Sequence, residues 1–194
     1  RIRSRGLGDV YKRQILMVTA TSFMFYSLQK FDLVDIYVVF FTAPLIVSLL
    51  SAYFLKDILS TKGILLMLLS FGSIVYSLGP SMRIFSLDLI FPIVPPICWA
   101  LYQFFTKVVS GDNDPFAAIF YTSILGAIIF SIFIFFNWVP LEKNIFWLYL
   151  VILGVAGFVS HSLIIYAIQL SNLSFVTNFQ YSQLVWSTII NFLI

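Results

Sequence analysis

The chain is short of charge and of cysteine. Asp, Glu, Lys and Arg make up 10% of its 194 residues, against about 25% in soluble domains. That shortage excludes a water-soluble globule, and the apolar composition excludes disorder, which needs the opposite. The single cysteine, Cys98, excludes a disulfide framework and a thiolate metal cluster. Paired carboxylates, His-x-x-x-His, Gly-x-Ser-x-Gly and the phosphate-cradling glycine loop are all missing. No Asp or Glu lies deep in an apolar run. The sequence therefore carries no expectation of an enzyme, a metal site or a cofactor.

What the chain does have is apolar length. Hydrophobic residues are 61% of it, with 22 Phe, 10 Tyr and 4 Trp, a supply suited to lipid contact and interfacial belts. A bilayer-crossing helix takes about 20 apolar residues. Apolar runs fall at 15–28, 36–54, 63–78, 89–106, 116–136, 145–168 and 176–194, with charges gathered between them. Such placement follows from the cost of a charge at a helix centre, about 2.5–3.5 kcal/mol. The fold class is all-α, a polytopic transmembrane helix bundle of about seven spans, the first of them partial.

The net charge of +3 is not evenly spread. Arg1, Arg3, Arg5, Lys12 and Arg13 against Asp9 give the first fourteen residues +4, leaving −1 for the rest. The run SRGLGDVYKRQ over 4–14 is similar to a translated sequencing-library adapter, so residues 1–14 are expected to be non-native and are set aside. The basic balance then argues for no nucleic-acid partner. The following run, 15–28, is about 21 Å of helix against a core of about 30 Å. The far end stops inside the apolar run Asn191-Phe192-Leu193-Ile194. Both features lead to the expectation of an internal fragment.

An internal echo is present. Tyr26-Ser27-Leu28-Gln29 followed by Leu33 recurs 140 residues later as Tyr166-Ala167-Ile168-Gln169 followed by Leu173. The copies lie five spans apart, an odd number, so they run in opposite directions. Inverted repeats of that kind are the signature of secondary transporters with a site at the repeat interface.

Gln180, Gln183, Ser187 and Asn191 form one helical stripe, with Phe179, Trp186, Ile190 and Leu193 on another side. Carboxamides are costly in hydrocarbon, so the stripe should face protein or water. It is either a cavity wall that hydrogen-bonds a polar solute or interhelical glue. His161 is the only histidine, and either binds solute or bonds within a helix pair beside Gly154, Gly157 and Ser160, whose small size suggests close packing. Trp99 and Tyr102 could stack on a planar or cationic solute or pack on lipid. Lys107 follows on the same helix and snorkels to the interface, and Pro44 should bend its span.

Several segments resemble one family, the drug/metabolite transporter superfamily of EamA type. Phe41-Thr42-Ala43-Pro44-Leu45-Ile46-Val47-Ser48-Leu49-Leu50-Ser51 is similar to that family's fourth helix. Leu55-Lys56-Asp57 follows where members usually read Leu-Gly-Glu. Trp99-Ala100-Leu101-Tyr102 through Lys107 resembles the helix opening the second half. Ser160-His161-Ser162-Leu163 and the run from Asn178 to Trp186 resemble the eighth and ninth helices, with Asn178 where many members have proline. The resemblance implies a truncated ten-helix inverted-repeat transporter, with 15–79 from the first repeat and 80–194 from the second. It also implies a central cavity, a cytoplasmic Lys56/Lys62 loop, and export of small organic metabolites or drugs across a bacterial inner membrane by alternating access. The site residues are then Gln180, Gln183, Ser187, Asn191, Trp99, Tyr102 and His161. The partners are a small organic solute and the lipid bilayer, with protons only if helices outside these residues supply a carboxylate. A seven-helix receptor or sensor and a non-transporting scaffold subunit remain as alternatives.

Overall fold

The computed structural model describes residues 7–57, 61–78, 88, 90–109, 115–136, 138, 140–141, 143–183, 185–186 and 189. All of its regular elements are helical: α1 (Leu7–Ser27), α2 (Leu33–Phe40), α3 (Ala43–Leu50), α4 (Thr61–Leu78), α5 (Ile90–Val109), α6 (Pro115–Phe136), α7 (Asn144–Leu170) and α8 (Leu173–Asn178). A π-helical turn, Ser51–Leu55, extends α3, and a 3-10 turn, Phe179–Tyr181, extends α8. Each apolar run of the sequence yields a helix. Three helical stretches among the described residues are long and apolar enough to cross a bilayer: Asp35–Leu55, Ile119–Phe136 and Asn144–Leu170. The last two are almost wholly exposed on the protein's surface, as expected of helices that face lipid.

Breaks in the helices have local causes. Pro44 has no N–H to offer the carbonyl four residues back, Phe40, and the chain turns at Phe41–Thr42 between α2 and α3. Thr42 offsets part of that loss by donating its hydroxyl to the Val39 carbonyl at 2.7 Å. The final span begins at Leu173, three residues before the apolar run, because Asn172 takes the extended conformation of an N-cap (φ −64°, ψ 136°). Pro95 and Pro96 lie inside α5 and are fully buried. Their freed carbonyls are tolerable there because neighbouring helices surround them.

α5 is the central strut. It packs against α1, α2, α3, α7 and α8, with Ala100 and Phe104 in a core shared with Val47, Ile168 and Leu173. Directions follow from its contacts. Phe91, at the start of α5, meets Phe23 and Tyr26 near the end of α1, while Tyr102, further along, meets Arg13 near its beginning. α1 is therefore antiparallel to α5. Trp99 meets His161, and Lys107 donates to the Ile168 carbonyl at 2.6 Å and the Ser171 carbonyl at 2.7 Å. α7 is therefore parallel to α5. It follows that α1 and α7, the helices bearing the two echo copies, run in opposite directions.

Ionic contacts close both ends of α5. Lys30 bonds Asp88 at 3.0 Å just ahead of the helix, and that hydrogen bond raises the lysine's pKa above its ordinary value. At the far end Lys107 supplies positive charge and donors to the last turn of α7, where helix carbonyls lack partners. Lys107 thus reaches across to a neighbouring helix terminus, a more specific role than snorkelling. Asp57, at the end of the α3 extension, acts on the Lys107 charge through space and accepts a hydrogen bond from the Ser51 hydroxyl.

Two residues sit against their chemistry. Lys56 closes the π-turn in the left-handed region, φ 57° and ψ 30°, the conformation that glycine adopts without steric cost. Replacing Lys56→Gly is expected to stabilise the protein by about 1 kcal/mol, read as a higher unfolding midpoint in detergent; a lower midpoint contradicts the assignment. Arg13, within the adapter-like stretch that α1 absorbs, is 1% exposed, and its Nε and Nη2 have no hydrogen-bond partner. Its guanidinium lies over the Tyr102 ring at 5.3 Å, but two buried unsatisfied N–H groups on a cation are destabilising, so Arg13→Leu is expected to stabilise by about 1–3 kcal/mol, and a loss of stability would contradict this.

Candidate functional site: a cavity among four helices

A cavity of about 300 Å³ lies between α1, α5, α6 and α7, at the small end of ligand pockets. Thr21, Tyr102, Ser123, Gly154, Gly157 and His161 are among its lining residues. Phe130 and Phe158 add apolar wall. Hydroxyls, an imidazole and aromatic faces thus meet in one small space.

Three of the predicted site residues come together here. Trp99 stacks on Tyr102, with ring centroids 5.4 Å apart and planes 19° from parallel. It also meets His161 edge-on at 5.6 Å and 70°. Residues 99 and 102 share a face of α5 because they are three apart, and the parallel packing of α7 brings 161 alongside. Tyr102 and His161 reach the cavity directly, while Trp99 buttresses both.

Two glycines also act differently from expectation. The spacing of Gly154 and Gly157 suggests a close helix contact, yet a side chain built at either would meet nothing within 4 Å. Both line the cavity instead, so their smallness leaves open space instead of admitting a neighbour. Gly126, across the cavity, is the tight one. A Cβ there would stand 3.0 Å from the Gln14 side-chain amide, which is placed to bond the Thr122 carbonyl at 2.7 Å and the Gly126 N–H at 2.9 Å.

The carboxamide stripe divides. Gln180 turns inward, and its Nε2 donates to Oε1 of the fully buried Gln103 at 3.0 Å. That bond joins α5 to the turn after α8, away from the cavity. Gln183 is exposed, and Ser187 and Asn191 lie outside the described residues. Elements α3, α5 and α8, which pack on one another, carry further buried polar atoms, taken together as a polar seam. Gln103 Nε2, Ser48 Oγ, Ser174 Oγ and Asn178 Oδ1 are buried in it without hydrogen-bond partners among the described residues.

The echo in the sequence has a geometric counterpart. Asp32 and Asn172, 140 apart, hold nearly the same backbone, φ −64° with ψ 144° and 136°, and each precedes a helix starting at leucine. Phe41 and Tyr181 are also 140 apart, and they touch: their rings stack at 5.9 Å and 25°, and the Tyr181 hydroxyl donates to the Phe41 carbonyl at 3.1 Å. Both are buried, together with Val38 and Met67. Sequence reasoning missed this pair, although applying the 140-residue offset to the aromatics would have found it.

No curated protein matches the chain. Residues 87–194 match the profile of the EamA-like transporter family, a stretch that holds α5 through α8 and covers more than half of the chain. That match, the all-helical architecture and the apolar, lipid-suited helices agree on a multi-pass integral membrane protein of a solute transporter class: the chain belongs to the EamA-like transporter family.

Proposed function

We propose that the protein exports small organic solutes by alternating access, and that the cavity between α1, α5, α6 and α7 holds the solute on its way. The observation that carries this reading is the assembly of Tyr102 and His161, braced by Trp99, against the open wall of Gly154 and Gly157. Aromatic faces suit a flat or aromatic solute. The hydroxyls of Thr21 and Ser123 and the imidazole of His161 supply hydrogen bonds that orient it. The antiparallel relation of α1 and α7 supports a rocking mechanism, since inverted halves can exchange conformations around a fixed site.

The polar seam supports a passage that water reaches. An unpartnered buried polar group costs about 1–3 kcal/mol when dry, and four of them in one seam are tolerable when hydrated. Gln103 and Gln180 then serve as a polar tie at the edge of the passage. The family match favours a carrier over the receptor and scaffold alternatives.

A substitution that fills the cavity tests the proposal. Nothing obstructs a side chain at position 157, and a helical glycine replaced by leucine gains roughly 0.5–1 kcal/mol of helix preference. Gly157→Leu is therefore expected to keep membrane abundance and an unfolding midpoint at least as high as the original while lowering efflux of aromatic solutes from cells by tenfold or more. Undiminished efflux by a well-folded Gly157→Leu protein would overturn the assignment of the cavity.

A further inference from the structure

A residue that touches its own repeat equivalent must lie beside the axis relating the two repeats. Phe41 and Tyr181 are equivalents by the 140-residue offset, and their rings are in contact. The axis that exchanges the halves therefore passes between them. Both stand where a helix is interrupted: α2 gives way to α3 at Phe41–Thr42, and α8 gives way to the 3-10 turn Phe179–Tyr181.

The pair is alike in packing but unlike in hydrogen bonding. Tyr181 carries a hydroxyl that reaches the carbonyl of residue 41. Phe41 has none with which to reach the carbonyl of residue 181. In an inverted-repeat carrier the second open state is obtained when each half adopts the other's conformation. After that exchange the side chain of residue 41 approaches the carbonyl of residue 181, and no bond can form. The ring stack survives the exchange because both residues are aromatic.

We infer that Tyr181 sets the balance between the two open states: its hydroxyl holds the conformation seen here and has no counterpart in the exchanged one. This rests on the alternating-access reading above. Tyr181 touches neither the cavity nor the solute; it is a positioning residue acting through the Phe41 backbone. One buried hydrogen bond present in only one state shifts a two-state population by about threefold to tenfold.

The inference makes an uncommon prediction about pairs of variants. Tyr181→Phe removes the bond from the present state, whereas Phe41→Tyr supplies it to the other. Both should shift the population in the same direction and by similar amounts, and the two together should reverse the original preference. The measurement is pulsed electron–electron distance spectroscopy on the intact transporter in lipid vesicles, in a Cys98→Ser background. One spin-label pair sits at Leu28 and Ile90, at one end of α5, and another at Tyr53 and Leu170, at the other; all four side chains are exposed. The expected result is two distance populations at each end. Each single variant should change their ratio about threefold to tenfold, and the double variant should invert it. Two populations whose ratio ignores either single variant, or moves oppositely in the two, would overturn the inference alone. A single population at both ends in all four proteins would overturn the alternating-access reading and the inference with it.

Discussion

The structure depends on one requirement of the hydrocarbon: a helix interrupted inside the membrane must find partners for its backbone within the protein. α2 and α3 are interrupted by Pro44, and the turn that results is met by Tyr181, whose hydroxyl bonds the Phe41 carbonyl while its ring covers the Phe41 ring. The neighbouring Thr42 back-bonds to Val39. The crossing of two broken helices is thus held by a ring stack and a hydrogen bond between residues 140 positions apart, the spacing of the sequence echo. Association of helices in lipid has no hydrophobic driving force and relies on such packing and polar contacts.

From that crossing the remainder of the bundle follows. α5 stands beside it and carries a different chemistry on each flank. One flank sends Gln103 to Gln180 and the polar seam; the other sends Trp99 and Tyr102 toward His161 and the cavity. Its two ends are fastened by Lys30–Asp88 and by Lys107 on the carbonyls of α7. A helix held at both ends, with three prolines and a buried glutamine within it, can bend without losing its place. That suits a strut about which helices move.

Much of the architecture was legible in the sequence because the bilayer sets a length and forbids charge. The helices from α4 to α7 coincide closely with apolar runs, α2 and α3 divide one run at the bend expected of Pro44, and α1 extends ahead of its run to Leu7. The start of the last span was harder to read, because the N-cap at Asn172 makes Leu173 and Ser174 helical although hydropathy rises only later. Trp99, Tyr102 and His161 were recognisable as residue types, and span counting makes α5 and α7 parallel, but their meeting depends on those two helices being neighbours in one register, which no local pattern encodes. Gly154 and Gly157 show the same limit: small residues at helical spacing say that a face is shallow, not whether a neighbour fills it. Gln180 was assigned to a stripe facing one way, and the 3-10 turn at Phe179–Tyr181 interrupts the periodicity on which that stripe was built. Lys56 holds a left-handed backbone that its own residue type would not announce.

The central claim is that the break between α2 and α3 and the turn after α8 are joined through the Phe41–Tyr181 contact. A double-mutant cycle with Phe41→Leu and Tyr181→Leu, followed by reversible unfolding in detergent micelles, measures that contact most directly. The account predicts a coupling energy of about 0.5–1.5 kcal/mol, that of the aromatic pair alone, because the Tyr181 hydroxyl bonds the Phe41 backbone, which Phe41→Leu leaves in place. Effects of the two substitutions that add to within about 0.3 kcal/mol, as for distant and independent sites, would contradict it.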